Sequence, residues 1–435
     1  MLKEKQRNIG IKPDMFSLFF IIYNVLILIV IFILFPYFFI RAYITGKDKH
    51  GLYQRIGFIP KKILKNKNVL WFHCVSAGEA KVAVPVIERL LDDHKITISV
   101  GTETGYRMIK EHFQDEVDLF YMPVDFIIPL NRIFKILKPK ALIIVETEIW
   151  PQLIRLAYLK DIPTILINGR MPPKDYKTYK RFGFLFKHIF SMYDELLVTS
   201  EKEKQHFMNC GAKKEKIEVF GNIKFDVYDP EGSDDKRIQK IKRFFKSGNK
   251  KKNIVVGSTH PNEEKIILKQ LKKLKDEVSI ILAPRHIDRI DEIVEVLKGL
   301  NLSYSKRSSG QLDWDKNVIL WDTMGELDVL YKFADIVLVG GSWIDQGGHN
   351  IIEPAIWEKP IIVGPYMYNF QEIYDYFRSK DAIIEAQKDN IYEKVSLLLN
   401  NRKIRMEFSS NAKKCILENK GAVKKYKEVI KKYLE

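Results

Sequence analysis

The stretch Val337-Leu338-Val339-Gly340-Gly341-Ser342, followed by Gly347-Gly348-His349-Asn350-Ile351-Ile352-Glu353-Pro354, decides how this chain is read. An apolar run of strand character enters two glycine pairs, and the spacing predicts a helix beginning at Asn350. Glycine lets a backbone turn sharply and approach a ligand closely. A helix N-terminus offers N–H groups and a positive dipole end, both suited to phosphate. Glu353, one turn in, has the reach for ribose hydroxyls. A plainer reading fits the same residues: Asn350 and Glu353, three apart, cap an ordinary turn.

Working outward, other apolar runs also end in polar clusters. Ile254-Val255-Val256-Gly257 enters Ser258-Thr259-His260-Pro261, Val278 to Ala283 ends at Pro284-Arg285-His286, and Val318 to Trp321 ends at Asp322-Thr323-Met324-Gly325-Glu326. Lys359 to Pro365 supplies a further strand. Nearer the N-terminus, Val69 to Val75 leads into the turn Ser76-Ala77-Gly78-Glu79 and a helical spacing from Ala80 to Leu91. Ile96 to Val100, Ala141 to Val145, Pro163 to Asn168 and Glu195 to Thr199 are the remaining strands, the second of them closing on Glu146-Thr147-Glu148. Buried strands separated by helices predict parallel sheets covered on both faces. The expected class is α/β: two Rossmann-like, doubly wound domains facing a cleft. The boundaries read as 46–225 for the first domain, 226–252 for a polar linker, 253–400 for the second and 401–435 for C-terminal helices that pack back on the first. Ligands in such sheets bind beyond the carboxyl ends of the strands, where all these polar clusters fall.

The segment 1–45 is of another kind. Met15 to Ile40 holds no charged residue, and about 20 apolar residues span a bilayer as a helix. It is read as a retained membrane anchor, single-pass or monotopic, since Pro36 allows a kink. Arg41, Lys47, Lys49, Arg55, Lys61, Lys62, Lys65 and Lys67 follow it, a denser cluster than the one before it, which favours a cytoplasmic position for the globular part. These bases also suit anionic lipid head groups. The 435-residue chain carries a formal charge of +17 with lysines spread throughout. Nucleic acid is not the expected partner, because basic and aromatic residues do not interleave on one face. The three cysteines, Cys74, Cys210 and Cys415, fit neither a disulfide framework nor a zinc spacing.

Six of these clusters, in order, resemble the Kdo transferases of lipopolysaccharide assembly, which attach 3-deoxy-D-manno-octulosonic acid (Kdo) to lipid A. They are His73-Cys74-Val75-Ser76-Ala77-Gly78-Glu79, Glu146-Thr147-Glu148-Ile149-Trp150-Pro151, Gly221-Asn222-Ile223-Lys224-Phe225-Asp226, Pro284-Arg285-His286, Asp322-Thr323-Met324-Gly325-Glu326-Leu327 and Gly340 to Glu353. Cys74, Ala77 and the loop Trp343-Ile344-Asp345-Gln346 depart mildly from the family pattern. The resemblance implies a GT-B glycosyltransferase with an N-terminal acceptor domain and a C-terminal CMP-sugar domain, at the inner membrane. It implies an inverting transfer of Kdo from CMP-Kdo to a lipid A precursor (lipid IVA), without metal or cofactor.

The resemblance assigns the proton-acceptor role to Glu79, which the sequence places at a helix start, open to the cleft and held ionised by the dipole. It assigns transition-state stabilisation to Glu146 and Lys224. Glu148 competes with Glu146, and Arg170 is a structural partner that Glu146 would otherwise pair with. CMP falls to Pro284, Arg285, Met324, Gly325, Glu326, Asn350, Ile351, Ile352 and Glu353, with Arg285 suited to paired hydrogen bonds with phosphate. His260, His286 and His349 are hydrogen-bonding candidates without a metal spacing, and Asp313-Trp314-Asp315 reads as a solvated turn. Competing readings are a transferase for another nucleotide sugar, a sugar epimerase of similar fold, a nucleic-acid-binding membrane protein and a non-catalytic sugar- or nucleotide-binding protein.

Overall fold

The computed structural model describes residues 13–45, 49–59, 65–226, 235–245 and 251–434. Two compact units divide the chain, one comprising Met1–Asp226 with Gly421–Glu435, the other Val227–Lys420.

In the first unit seven parallel strands form one sheet in the order β3-β2-β1-β4-β5-β6-β7. They are β1 Leu70–Cys74, β2 Ile96–Val100, β3 Asp118–Tyr121, β4 Ala141–Val145, β5 Thr164–Gly169, β6 Glu195–Val198 and β7 Ile217–Val219. Every residue of β1, β2 and β4 is buried, as a parallel sheet covered on both faces requires. Leu70 of β1 lies level with Ile96 of β2 and Ala141 of β4, so the central strands end together. Strand order reverses between β1 and β4, which makes their C-terminal ends the switch point where such sheets bind ligands.

The second unit repeats the plan in the order β10-β11-β9-β8-β12-β13-β14. Its strands are β8 Lys252–Thr259, β9 Val278–Pro284, β10 Tyr304–Lys306, β11 Val318–Leu320, β12 Ile336–Val339, β13 Ile361–Val363 and β14 Ile384–Glu385. Here the switch point lies between β8 and β12, where Val339 pairs with Gly257. At Gly340 a Cβ would come within 2.6 Å of the Ser258 carbonyl oxygen, and Gly341 sits at φ +67. Both facts exclude a side chain and explain why a glycine pair closes β12.

The stretch 226–252, expected to be a linker, contains the helix Asp235–Phe245, which belongs to the second unit. Phe245 stacks on Phe333, and Phe244 packs edge-on against Trp321. A short basic helix is what the lysine-rich sequence predicts here; its narrow apolar face, Phe244 and Phe245, is what makes it part of the second unit and not a free linker. The C-terminal helices divide in the same way. Arg402–Asn419 belongs to the second unit, and only Ala422–Lys432 returns to the first.

The N-terminal helix runs over Pro13–Thr45, and its side chains are described for residues 18–34. Phe20 is 1% exposed and forms part of the first unit's core, with the Arg155 guanidinium 4.5 Å above its ring. The Tyr23 hydroxyl donates to Asp125 (2.8 Å), and the Asn24 amide donates to Gln152 (2.8 Å) while its oxygen accepts from the Ile127 N–H. Beyond this footing Ile21, Val25, Leu28, Phe32 and Ile33 are exposed. Among the described residues no helix is long and apolar enough to cross a membrane. The expected anchor, 15–40, extends beyond the described side chains.

Candidate active site

In the first unit the polar groups gather beyond the C-terminal ends of β1, β4, β5 and β7. The Ser76 hydroxyl accepts from the Glu79 N–H (3.3 Å) and donates to the Glu79 carboxylate (2.7 Å), while the Val75 N–H reaches the other carboxylate oxygen (2.6 Å). Ser76 thus caps the helix Ala77–Leu91, and Glu79 in the first turn reaches back to the cap hydroxyl and to the N–H before it. Glu79 is therefore buried, not open as the sequence reading had it. Burial pushes its carboxyl up to about 7 against the hydrogen bonds from Ser76 and Val75, with Glu148 and Glu146 adding to the rise. The dipole does not hold it ionised, because desolvation of a nearly enclosed carboxylate outweighs a terminal partial charge. The result is a carboxyl poised near neutrality.

Glu146 takes up a left-handed backbone conformation (φ 58) at the end of β4. Its carboxylate pairs with Arg170 at 2.9 Å and with Lys224 at 3.9 Å. The pairing with Arg170 weighed from the sequence is present, and the same carboxylate lies within ion-pair reach of Lys224. Glu148 turns the other way, accepting from the Trp150 indole (3.2 Å). Burial raises its carboxyl above the ordinary range.

Lys224 rides on a short 3-10 turn, Ile223–Phe225. Sequence reasoning missed what supports it. Asn168 accepts from the Ile223 N–H (2.9 Å), and Asn222 caps the turn through the Lys224 N–H (3.0 Å). Asp226 accepts from the N–H groups of Gly421 and Val423, both at 2.7 Å, and the Tyr426 hydroxyl donates to the Gly221 carbonyl (2.9 Å). The final helix thus clamps the Lys224 loop from both ends. No local pattern announces this, since the partners lie about two hundred positions apart. His73, in the same motif as Glu79, is a core residue bonded to Ser99 (2.9 Å) and held neutral by burial, its imidazole pushed down to about 3.

In the second unit the glycine stretch does something other than expected. The buried Glu263 carboxylate accepts from the N–H groups of Gly341 (2.7 Å), Ser342 (3.0 Å) and Trp343 (2.9 Å), and from His260 (3.2 Å). The amides of the turn are engaged by the protein's own carboxylate, so this turn is not a phosphate cradle. The helix after it spans only Ile352–Ile356 and begins later than expected. Asn350 accepts from the Ile352 N–H (3.1 Å) and donates to Glu353 (3.2 Å), the capping arrangement of the plainer reading. Ile351 and Ile352 are fully buried, so only their backbone is available to a ligand.

Pro284 is buried at the end of β9, and Arg285 follows it, exposed, its N–H held by the Thr259 carbonyl (3.0 Å). Met324 and Gly325 are exposed at the end of β11, Gly325 at φ +74 with open space where a Cβ would lie. Glu326 beside them is spoken for. It accepts from Thr323 (2.7 Å) and the Trp321 indole (3.0 Å) and pairs with Lys240 (3.0 Å) and Arg307 (3.2 Å). Burial works against its charge, yet Thr323, Lys240 and Arg307 hold the carboxyl below the ordinary range. Glu326 therefore shapes the Met324–Gly325 turn from beneath. Asp313 and Asp315 lie on an exposed turn, as read from the sequence. Among the described residues no group of three His, Cys, Asp or Glu is arranged to hold a metal ion.

These two sets of strand-end residues can be compared with known proteins. The family model described as 3-deoxy-D-manno-octulosonic-acid transferase (kdotransferase) matches residues 50–227, and that of glycosyl transferases group 1 matches 236–415. The 3-deoxy-D-manno-octulosonic acid transferase of Haemophilus influenzae is 30% identical over 90% of this chain and 93% of its own. That of Aquifex aeolicus is 31% identical over 83% of this chain and 95% of its own. A glycosyltransferase structure from Rickettsia africae superposes with a TM-score of 0.57 at 15% identity, over 85% of this chain and 99% of that one, which supports the two-domain GT-B fold. The matched spans contain Glu79, Glu146, Lys224, Arg285 and Glu326 and run through both sheets: the chain belongs to the 3-deoxy-D-manno-octulosonic acid transferase family of glycosyltransferases.

Proposed function

We propose that this protein transfers Kdo from CMP-Kdo to a lipid A precursor (lipid IVA) in lipopolysaccharide synthesis, with inversion at the anomeric carbon. The observation that carries the reading is Glu79, a carboxyl pushed up to about 7 at the switch point of the first sheet, in the field of Glu146 and Glu148. A general base works best when its pKa lies near the working pH. Glu79 takes the proton of the acceptor hydroxyl, whose oxygen forms the new bond to the anomeric carbon. The bond from that carbon to the phosphate oxygen breaks, and CMP leaves with the electron pair. Lys224, oriented by Glu146, offsets negative charge developing in the transition state. Arg285 and the backbone around Met324–Gly325 and Asn350–Glu353 hold the nucleotide. Neither a metal nor a cofactor enters this scheme.

The N-terminal helix supports a place at the cell inner membrane with the catalytic units on the cytoplasmic side. Its apolar run is footed on the first unit by Phe20, Tyr23 and Asn24 and is followed by a cluster of bases suited to anionic lipids. The test is to incubate the purified protein with CMP-Kdo and tetraacylated lipid A precursor and to read the product mass. A Kdo adduct with release of CMP is expected, and the ladder of adducts counts the sugars added. Intact CMP-Kdo and unmodified lipid would refute the proposal, and transfer from another nucleotide sugar alone would redirect it to that donor.

A further inference from the structure

At the switch point of the second sheet the amides of the glycine turn are spent. The Gly341–Trp343 amides bind Glu263, and the following helix is five residues long. Side chains must then supply the charge for a phosphate. Next to this turn the imidazoles of His260 and His349 lie nearly parallel, 6° apart, with their Nε2 atoms at 2.8 Å. His286 meets His260 edge-on at 5.7 Å between ring centres, and Arg285 adds a fixed positive charge. Two facing Nε2 atoms at this distance must share a proton, since one ring donates and the other accepts. A pair bonded to each other in this way does not direct two lone pairs at one metal ion.

We propose that His260 and His349, with Arg285 and His286, form the seat for the donor's phosphate, and that the phosphate binds there together with one proton taken from solvent. The proposal rests on the transferase reading for the identity of the donor. The added proton goes to Nδ1 of the ring that already donates through Nε2, which makes that ring an imidazolium and leaves the bond between the rings intact. The ionisable groups facing the pair are Arg285, His286 and Arg289. The acids beneath are committed elsewhere: Glu263 to four backbone N–H groups, Glu264 to Arg289 (3.1 Å) and Thr259 (3.1 Å). Burial first, and the surrounding positive charge second, push both imidazoles down, His349 to about 4. An arriving phosphate reverses the second influence, so anion and proton each favour the other. The seat then presents an imidazolium and a guanidinium to the departing CMP, whose phosphate gains negative charge as the sugar bond breaks.

The probe is the methyl ester of CMP, whose phosphodiester keeps a single charge between pH 6 and 8. Calorimetric titration of the full-length protein in buffers of different ionisation enthalpy reads the proton directly. Uptake of up to one proton per ester is expected, with none for cytidine. Affinity for the ester is expected to fall as pH rises, approaching about tenfold per unit above the pKa of the bound pair. His349→Asn is expected to abolish the uptake while cytidine still binds, and His260→Gln provides the same comparison if the first variant fails to fold. Ester binding without proton uptake, or uptake unchanged in either folded variant, overturns the proposal. Proton-coupled ester binding without sugar transfer would sink the Kdo transferase reading alone. Sugar transfer with pH-independent ester binding would sink this one alone.

Discussion

Glu263 Oε2 accepts a 2.7 Å hydrogen bond from the Gly341 N–H, a residue 78 positions later in the chain. That bond joins the helix after β8 to the turn after β12 and fixes the floor of the donor-side site. Hydrogen bonds to a buried charge contribute about 1.5–3 kcal/mol each, and this carboxylate receives four. Glu263→Gln keeps the shape but turns one acceptor into a donor facing N–H groups. It is expected to destabilise the second unit by about 2–4 kcal/mol, seen as a lower urea midpoint, with faster amide exchange at Gly341–Trp343. An unchanged midpoint would mean that the turn holds itself.

Ser76 is expected to set the pH at which Glu79 works. Its hydroxyl donates to the ionised carboxylate, so it opposes the rise caused by burial. Ser76→Ala removes that opposition. The acid limb of kcat/KM, centred near 7 for the native protein, is expected to move to higher pH, because the base must lose its proton to act. The same change removes an N-cap and costs about 1 kcal/mol of stability. A limb that stays in place would separate Glu79 from the base role.

Glu146→Gln is expected to lower kcat by about 10²–10³ while CMP affinity stays within a factor of two or so, since the pair with Lys224 lies in the first unit. Lys224→Met should give a similar loss, and the double variant no more than the larger single one, because the two act as one device. Additive losses, read from a double-mutant cycle on kcat, would show that Glu146 acts independently of Lys224.

Phe20 should matter for stability apart from any membrane. It lies in the first unit's core beneath Arg155. Phe20→Ala is expected to cost about 3–5 kcal/mol, measured in detergent by thermal unfolding. Ile29→Ala, on the exposed part of the same helix, should cost far less. Equal losses would contradict the footing described here.

Asp226→Ala breaks the clamp on the Lys224 loop. The two N–H groups it leaves, of Gly421 and Val423, begin the last helix. Transfer is expected to fall about tenfold with the loss of roughly 1.4 kcal/mol of positioning, and amide exchange should quicken at 421–426. Unchanged exchange would place the Lys224 loop under other control.

What the sequence determined by itself was the plan of the two sheets. The interior strands are buried along most of their length, so apolar runs marked them within a residue or two, as at Ala141–Val145 and Ile336–Val339. The four strands missed, β3, β7, β10 and β14, are the four sheet edges. β7, β10 and β14 have two or three residues and are partly exposed, and β3 is buried but has four residues and opens on Asp118, so none presents a long apolar run. The polar strand ends likewise drew attention to Glu79, Glu146 and Arg285, while the part each plays, and that of Lys224, is what the resemblance implies. Tertiary structure alone decided what those residues experience. Burial, not the helix dipole, governs Glu79. A carboxylate from a distant helix fills the amides that the glycines seemed to offer a phosphate, and the last helix folds back to hold Lys224. Each depends on groups far apart in the chain meeting in a medium that screens charge poorly, which no local spacing records.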